Sequence, residues 1–173
     1  LSFLKAVTVP AAKLKGDGAR ESTAMYKKIL IPTDGSDLSK AAARAGVEFA
    51  KEQRADVFGI FVAPEYANPI YVEMVPPTEA EYKDALIKTG REYLSEIEQA
   101  ANAAGLPFLG FIEFSNSPAI EIVRVAEENH CDLIFMGSHG RSGLGQLLLG
   151  SVTSRVLATC QIPVLVYRAK HSA

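Results

Sequence analysis

Hydrophobic positions fall into two alternating patterns. Ile29-Leu30-Ile31, Val57 to Val62, Phe108 to Phe114, Leu133 to Met136 and Val164 to Tyr167 are apolar at nearly every position. Runs of this kind are strands covered on both faces, as in a parallel sheet. Between them the spacing becomes helical. Leu38, Ala42, Ala45 and Phe49 recur at i, i+4, i+7 and i+11; Leu86, Tyr93, Leu94, Ile97, Ala101 and Ala104 stripe a longer segment; Ile120, Val123 and Ala126 mark a third and Val152, Val156 and Thr159 a fourth. Local signals punctuate these elements. Pro32 stops the first strand, Thr78 to Glu81 has capping-box spacing, Gly105 and Pro107 end the long helix, and Ser117-Pro118 pairs an N-cap with proline at the first helical position. The alternation predicts an α/β fold: an open, parallel, five-stranded, Rossmann-like sheet with helices on both faces. In such sheets ligands bind at the carboxyl ends of strands beside a topological switch point. Asp34 and the segment from 137 to 151 leave from the ends of the first and fourth strands, which are expected to be neighbours there.

Composition narrows the class. A chain of 173 residues, 48% hydrophobic and 22% charged, suits one globular domain. No apolar run reaches the ~20 residues that span a bilayer, so a cytoplasmic protein without a membrane partner is expected. The net charge of -2 comes with no concentrated basic face, which argues against nucleic acid. Cys131 and Cys160 lack metal-ligand spacing and read as reduced thiols. Residues 1–24 fit poorly with the rest of the chain and read as a leader or appended extension, 25–168 as the domain, and 169–173 as a tail. The stretch from Pro64 to Pro77, rich in proline and aromatics, reads as a lid, an interface or a loose link.

The chemistry concentrates between Met136 and Ser154. An apolar strand leads into glycines at 137, 140, 143, 145 and 150, and a helix is expected to begin near Ser151. Its first amides would lack intrahelical acceptors and carry the positive end of the dipole, which suits an anion. Ser151, Thr153 and Ser154 can add hydroxyls. Composition alone leaves a mobile glycine-rich turn as an equal reading. The spacing Gly137-x2-Gly140-x9-Gly150-Ser151, with the flanking Leu-Leu-Leu-Gly-Ser-Val-Thr, resembles the G-2x-G-9x-G-S/T pattern of the ATP-binding branch of the universal stress protein family. The resemblance extends over about Tyr26 to Arg168.

That resemblance implies strand order 3-2-1-4-5 and an adenine nucleotide, ATP, as ligand. It places Met136 and Val62 against the base, with Pro32 and Thr33 on the same rim. Asp34 and Gly137 then stand near the sugar, and Gly140, Gly150, Ser151, Val152 and Thr153 around the phosphates. His139 and Arg141 flank Gly140 and could lean onto phosphate, or be exposed loop side chains. Read without the family, Asp34 is equally an Asx turn or cap, and Met136 and Val62 are ordinary core. A Mg or Mn ion bridging the phosphates is compatible, although no Walker A lysine is present. The family also implies a homodimer through the last strand and a downstream protein partner. It often has glycine where this chain has Asn116, which tolerates the left-handed region.

Competing readings remain in view. Asp34 to Ser39 bears a faint likeness to PP-loop ATP pyrophosphatases but lacks their double glycine, and a nucleotide-free interaction module or a flavin protein of related fold shares the same alternation. Since the motif supplies no evident base and one loop cation, Arg141, little intrinsic turnover is expected.

Overall fold

The computed structural model describes residues 24–67, 77–139 and 149–168. Its elements run β1 (Lys28–Pro32), α1 (Asp37–Gln53), β2 (Asp56–Ala63), α2 (Glu79–Ala103), β3 (Phe108–Phe114), α3 (Pro118–Glu128), β4 (Leu133–Gly137), α4 (Ser151–Thr159) and β5 (Val164–Tyr167). The strands form one parallel sheet in the order β3-β2-β1-β4-β5. This is the architecture that the alternation and the family resemblance predict.

The pleat divides the apolar runs between two cores. Ile29, Ile31, Val57, Phe61, Leu133 and Phe135 face α1 and α2, whereas Leu30, Phe58, Ile60, Ile134 and Met136 face α3 and α4. A side-chain period of two explains how an uninterrupted apolar run serves both layers.

The helices keep their predicted positions with local differences. On α1 the buried face is Ala42, Ala43, Gly46, Val47 and Ala50; Leu38, Ala45 and Phe49 of the predicted stripe lie at its half-buried edge. Small residues win the contact because the helix sits close to the sheet: a Cβ on Gly46 would lie 2.9 Å from Ile31 Cδ1. On α2, the Thr78–Glu81 capping box forms, and Leu94, Ile97 and Ala101 are buried. Ser117 occupies the N-cap position of α3, but its side chain makes no capping bond; its N–H donates to Ser115 Oγ at 3.0 Å. Asn116 is not in the left-handed region, and its side chain bonds Glu65 instead, accepting from the Glu65 N–H and donating to Glu65 Oε2. Thr159 is exposed, its hydroxyl turned back to the Arg155 carbonyl, so the inward face of α4 rests on Thr153 and Val156.

The two ends of the proline-rich stretch meet, with Tyr66 Oη donating to the Pro77 carbonyl at 3.0 Å and its ring 5.4 Å from that of Tyr82. Its interior at 68–76, the extension at 1–23 and the tail at 169–173 lie outside the described residues.

Candidate functional site

Two strand ends meet where the sheet order reverses, between β1 and β4. At the β1 end Pro32 ends the strand, and the Thr33 N–H donates to the Ile60 carbonyl at 2.9 Å, holding the chain against β2 for one more residue. The turn beyond it is knitted by side chains. Asp34 Oδ1 accepts from the Ser36 N–H at 3.0 Å and from Ser36 Oγ at 2.6 Å. Ser36 Oγ in turn accepts from the Ser39 N–H and caps α1. Ser39 Oγ donates to the Ser36 carbonyl at 2.9 Å, so its 3.2 Å contact with Thr33 Oγ1 is one in which Thr33 donates. Gly35, at φ 78°, donates its N–H to Thr33 Oγ1. Asp34 is therefore the Asx-turn residue that one reading of the sequence anticipates.

At the β4 end the bonding is mostly backbone. The Ser138 N–H donates to the Tyr167 carbonyl at 2.8 Å, and the Gly150 N–H donates to the Ser138 carbonyl at 2.8 Å. Buried Thr153 donates its hydroxyl to the Gly137 carbonyl at 2.9 Å. These bonds tie the mouth of the glycine loop, so that α4 starts beside the end of β4. They also take up the Thr153 hydroxyl that the family pattern offers to phosphate. Gly150 is the N-cap residue of α4 with φ -60° and ψ 153°, a conformation any residue adopts. Its lack of a side chain matters for access, because Gly150 itself places no capping group over the first amides of the helix.

His139 stands in the same mouth. Its Nδ1 is 3.1 Å from Ser138 Oγ, and its Nε2 is buried with no hydrogen-bond partner among the described residues. A buried, unsatisfied ring nitrogen costs free energy unless something arrives to meet it.

A cavity of about 190 Å³ occupies the space between the two strand ends, on the side of α3 and α4. Of the sequence-predicted site residues, Pro32, Thr33, Asp34, Val62, Met136, Gly137, His139, Gly150, Ser151, Val152 and Thr153 line it. Gly140 and Arg141 lie outside the described residues. Ser39, Ile60, Pro118 and Ile122 complete the wall and were not anticipated. Ile60 had a legible signal, since it stands two residues before Val62 and shares its face. Ile122 had none: the spacing predicts a stripe of Ile120, Val123 and Ala126, whereas packing buries Ala119, Ile122, Val125 and Ala126 and leaves Ile120 exposed.

The wall is apolar toward Val62, Ile60, Ile122 and Met136, and polar toward Asp34, His139 and the start of α4; among the described residues Asp34 is its one carboxylate. Among the described residues no group of three or more His, Cys, Asp or Glu could hold a metal ion. Glu113, buried at the end of β3, stands outside the cavity and pairs with Arg124 at 3.3 Å; burial holds its carboxyl above the ordinary range, with Arg124 pulling the other way. Burial pushes the Cys131 thiol up to about 12, so it stays protonated, and it raises Cys160 as well. Both thiols are free and neither lines the cavity.

Comparison with known proteins decides the family. The model of the universal stress protein family matches residues 25–168. The chain belongs to the universal stress protein family. Universal stress protein MJ0531 of Methanocaldococcus jannaschii is 38% identical over 152 residues, covering 86% of each chain. Universal stress protein MJ0577 of the same organism is 32% identical over 164 residues, 86% of this chain and 98% of its own. The solved structure of hypothetical protein MJ0577 superposes with a TM-score of 0.69 at 31% identity, covering 86% of this chain and 99% of that one. A universal stress protein solved in complex with cAMP shares the fold, with a TM-score of 0.60 at 24% identity over 83% of this chain and 97% of its own. No helix among the described residues of this universal stress protein is long and apolar enough to cross a membrane.

Proposed function

We propose that this universal stress protein binds ATP in the cavity between β1 and β4 and acts as a cytoplasmic, nucleotide-dependent regulatory or protective factor. The observation that carries the reading is the buried His139 Nε2, without a partner among the described residues, in the wall that also holds the start of α4, where the N-cap residue is a glycine with no side chain. An orphan polar atom beside a helix N-terminus suits an anionic ligand with oxygen acceptors. The apolar wall of Val62, Ile60 and Met136 suits a purine face, and Asp34 can accept from sugar hydroxyls.

ATP is held with little turnover. Backbone amides stabilise the ground state as well as the transition state, which gives affinity without rate. Among the described residues Asp34 is the one carboxylate in the wall, so a Mg or Mn ion would ride on the nucleotide's own phosphates. Arg141, from the motif, is the candidate loop cation. Two copies pair through β5, the sheet edge beside β4, and a further protein reads the occupied state.

Calorimetric titration of the full chain with ATP, together with mass spectrometry of ligand released on denaturation, tests the binding. Adenine nucleotide recovered from the protein and saturable heat with ATP are expected. Absence of both would overturn the reading, and a yellow protein releasing flavin would replace it with another.

A further inference from the structure

The turn that carries Asp34 has the nucleotide cavity on one side and a different environment on the other. On the side of α1 and α2, the ring of Tyr93 from α2 lies directly on Gly35; a Cβ built on Gly35 would overlap the phenolic end of that ring. Gly35 is thus doubly constrained, since its φ of 78° also disfavours a side chain. The ring is itself fixed, because it meets Phe61 of β2 edge-on at 5.4 Å and 85°. Beside it, Lys40 of α1 pairs with Glu96 of α2 at 2.6 Å, which links the two helices flanking the turn.

Beside the ring lies a second cavity of about 400 Å³, lined by Thr33, Lys40, Arg44, Tyr93 and Glu96 among others. Thr33 is the one turn residue that lines both cavities, so the chain separates them at that point. Removal of the ring would join this space to the back of Gly35 and leave the turn room to yield when a ligand presses on its front. The hydrogen bonds within the turn preserve its internal shape, but they do not anchor it against α2. The close approach of the ring to the Gly35 backbone braces the turn from that side.

We propose that Tyr93 is a positioning residue of the nucleotide site, whose ring holds the Asp34 turn forward and so sets the contact of Asp34 with the sugar hydroxyls. The proposal rests on the ATP reading above. It assigns to α2, a helix that contributes nothing to the cavity wall, control over how strictly the site distinguishes sugars.

The test compares ATP with 2′,3′-dideoxy-ATP by calorimetry, using the full chain and the variants Asp34→Ala, Tyr93→Ala and Tyr93→Phe. The native protein should prefer ATP by about 10- to 100-fold, the weight of one hydrogen bond to a charged group. Asp34→Ala should erase that preference and Tyr93→Ala should reduce it to within about 3-fold, whereas Tyr93→Phe, which keeps the ring, should retain it. A loss of stability alone would lower melting temperature and leave the ratio unchanged. Should Tyr93→Ala not fold, Tyr93→Leu carries the same expectation with apolar bulk preserved. A folded Ala or Leu variant with native discrimination overturns the proposal, as does a Phe variant that loses as much as Ala. A native protein that binds ATP without sugar preference overturns it through Asp34 and leaves nucleotide binding standing; one that binds no nucleotide overturns the ATP reading first.

Discussion

The two strand ends that frame the cavity are built by opposite means. At the β1 end six bonds among Thr33, Asp34, Gly35, Ser36 and Ser39 involve side chains, and an aromatic ring closes the outside. At the β4 end the loop mouth is tied by backbone bonds from Ser138 and Gly150 and by one buried hydroxyl, Thr153, while His139 Nε2 has no partner among the described residues. The first region is satisfied without a ligand; the second contains polar groups that a ligand would satisfy. Side chains committed to a turn give a fixed shape, whereas helix amides behind a glycine N-cap and a ring nitrogen without a partner among the described residues are groups that an anionic ligand would meet. Damage to the first region should therefore appear as lost stability and lost sugar discrimination, and damage to the second as lost overall affinity.

The largest expected effect is on binding. In Gly150→Val the new side chain stands at the start of α4, where phosphate must approach, and two hydrogen bonds to charged oxygens worth about 1.5 to 3 kcal/mol each are lost. Affinity for ATP should fall by roughly 100-fold or more. Since φ at Gly150 is -60°, the backbone accepts valine, and denaturant midpoints should move little. Unchanged affinity in the folded variant would remove the loop mouth from the site.

Gly35→Ala should do the reverse. A methyl group at φ 78° costs about 1 to 2 kcal/mol, and forcing it against the Tyr93 ring adds about 1 to 3 kcal/mol of overpacking. Urea denaturation should show the loss directly. A midpoint within error of the native protein would mean that the turn and ring separate easily, and the contrast between the regions would lose its basis.

The smallest effect comes from Thr153→Val, which keeps the shape and removes the hydroxyl bonded to Gly137. Leaving that carbonyl short of a donor should cost about 1 to 2 kcal/mol of stability. ATP affinity should weaken several-fold at most, because the hydroxyl belongs to the tie and not to the ligand. Calorimetry showing a loss as large as that of Gly150→Val would place Thr153 on the phosphates after all.

Much of this site was legible before any fold was known. Asp34 stands after a proline-terminated strand, and Gly137, Gly150 and Ser151 carry a spacing that the family shares; each signal is local, lying within one strand-turn-helix unit. Met136 and Val62 were legible as apolar and ambiguous in role, since a core residue and a base-facing residue look alike in sequence. Pro118 and Ile122 were not legible as wall residues, for their place depends on how α3 crosses the sheet. Tyr93 shows the same limit: its spacing marks it as part of an inward stripe, and nothing nearby says that it meets a glycine 58 positions earlier in the chain.

Local pattern is enough for the alternation of strands and helices, the division of each apolar run between two faces, and the residues at the carboxyl ends of β1 and β4. Those features come from short-range physics: side-chain period, capping, and the conformations that proline and glycine permit. Packing of distant segments settles which hydroxyls are spent on turns, which ring nitrogen lacks a partner among the described residues, and which helix backs the Asp34 turn. These depend on distances between segments far apart in the chain. Because burial makes an unmet polar group costly and an overlapping methyl group costlier still, packing selects among side-chain roles that the local pattern leaves equivalent.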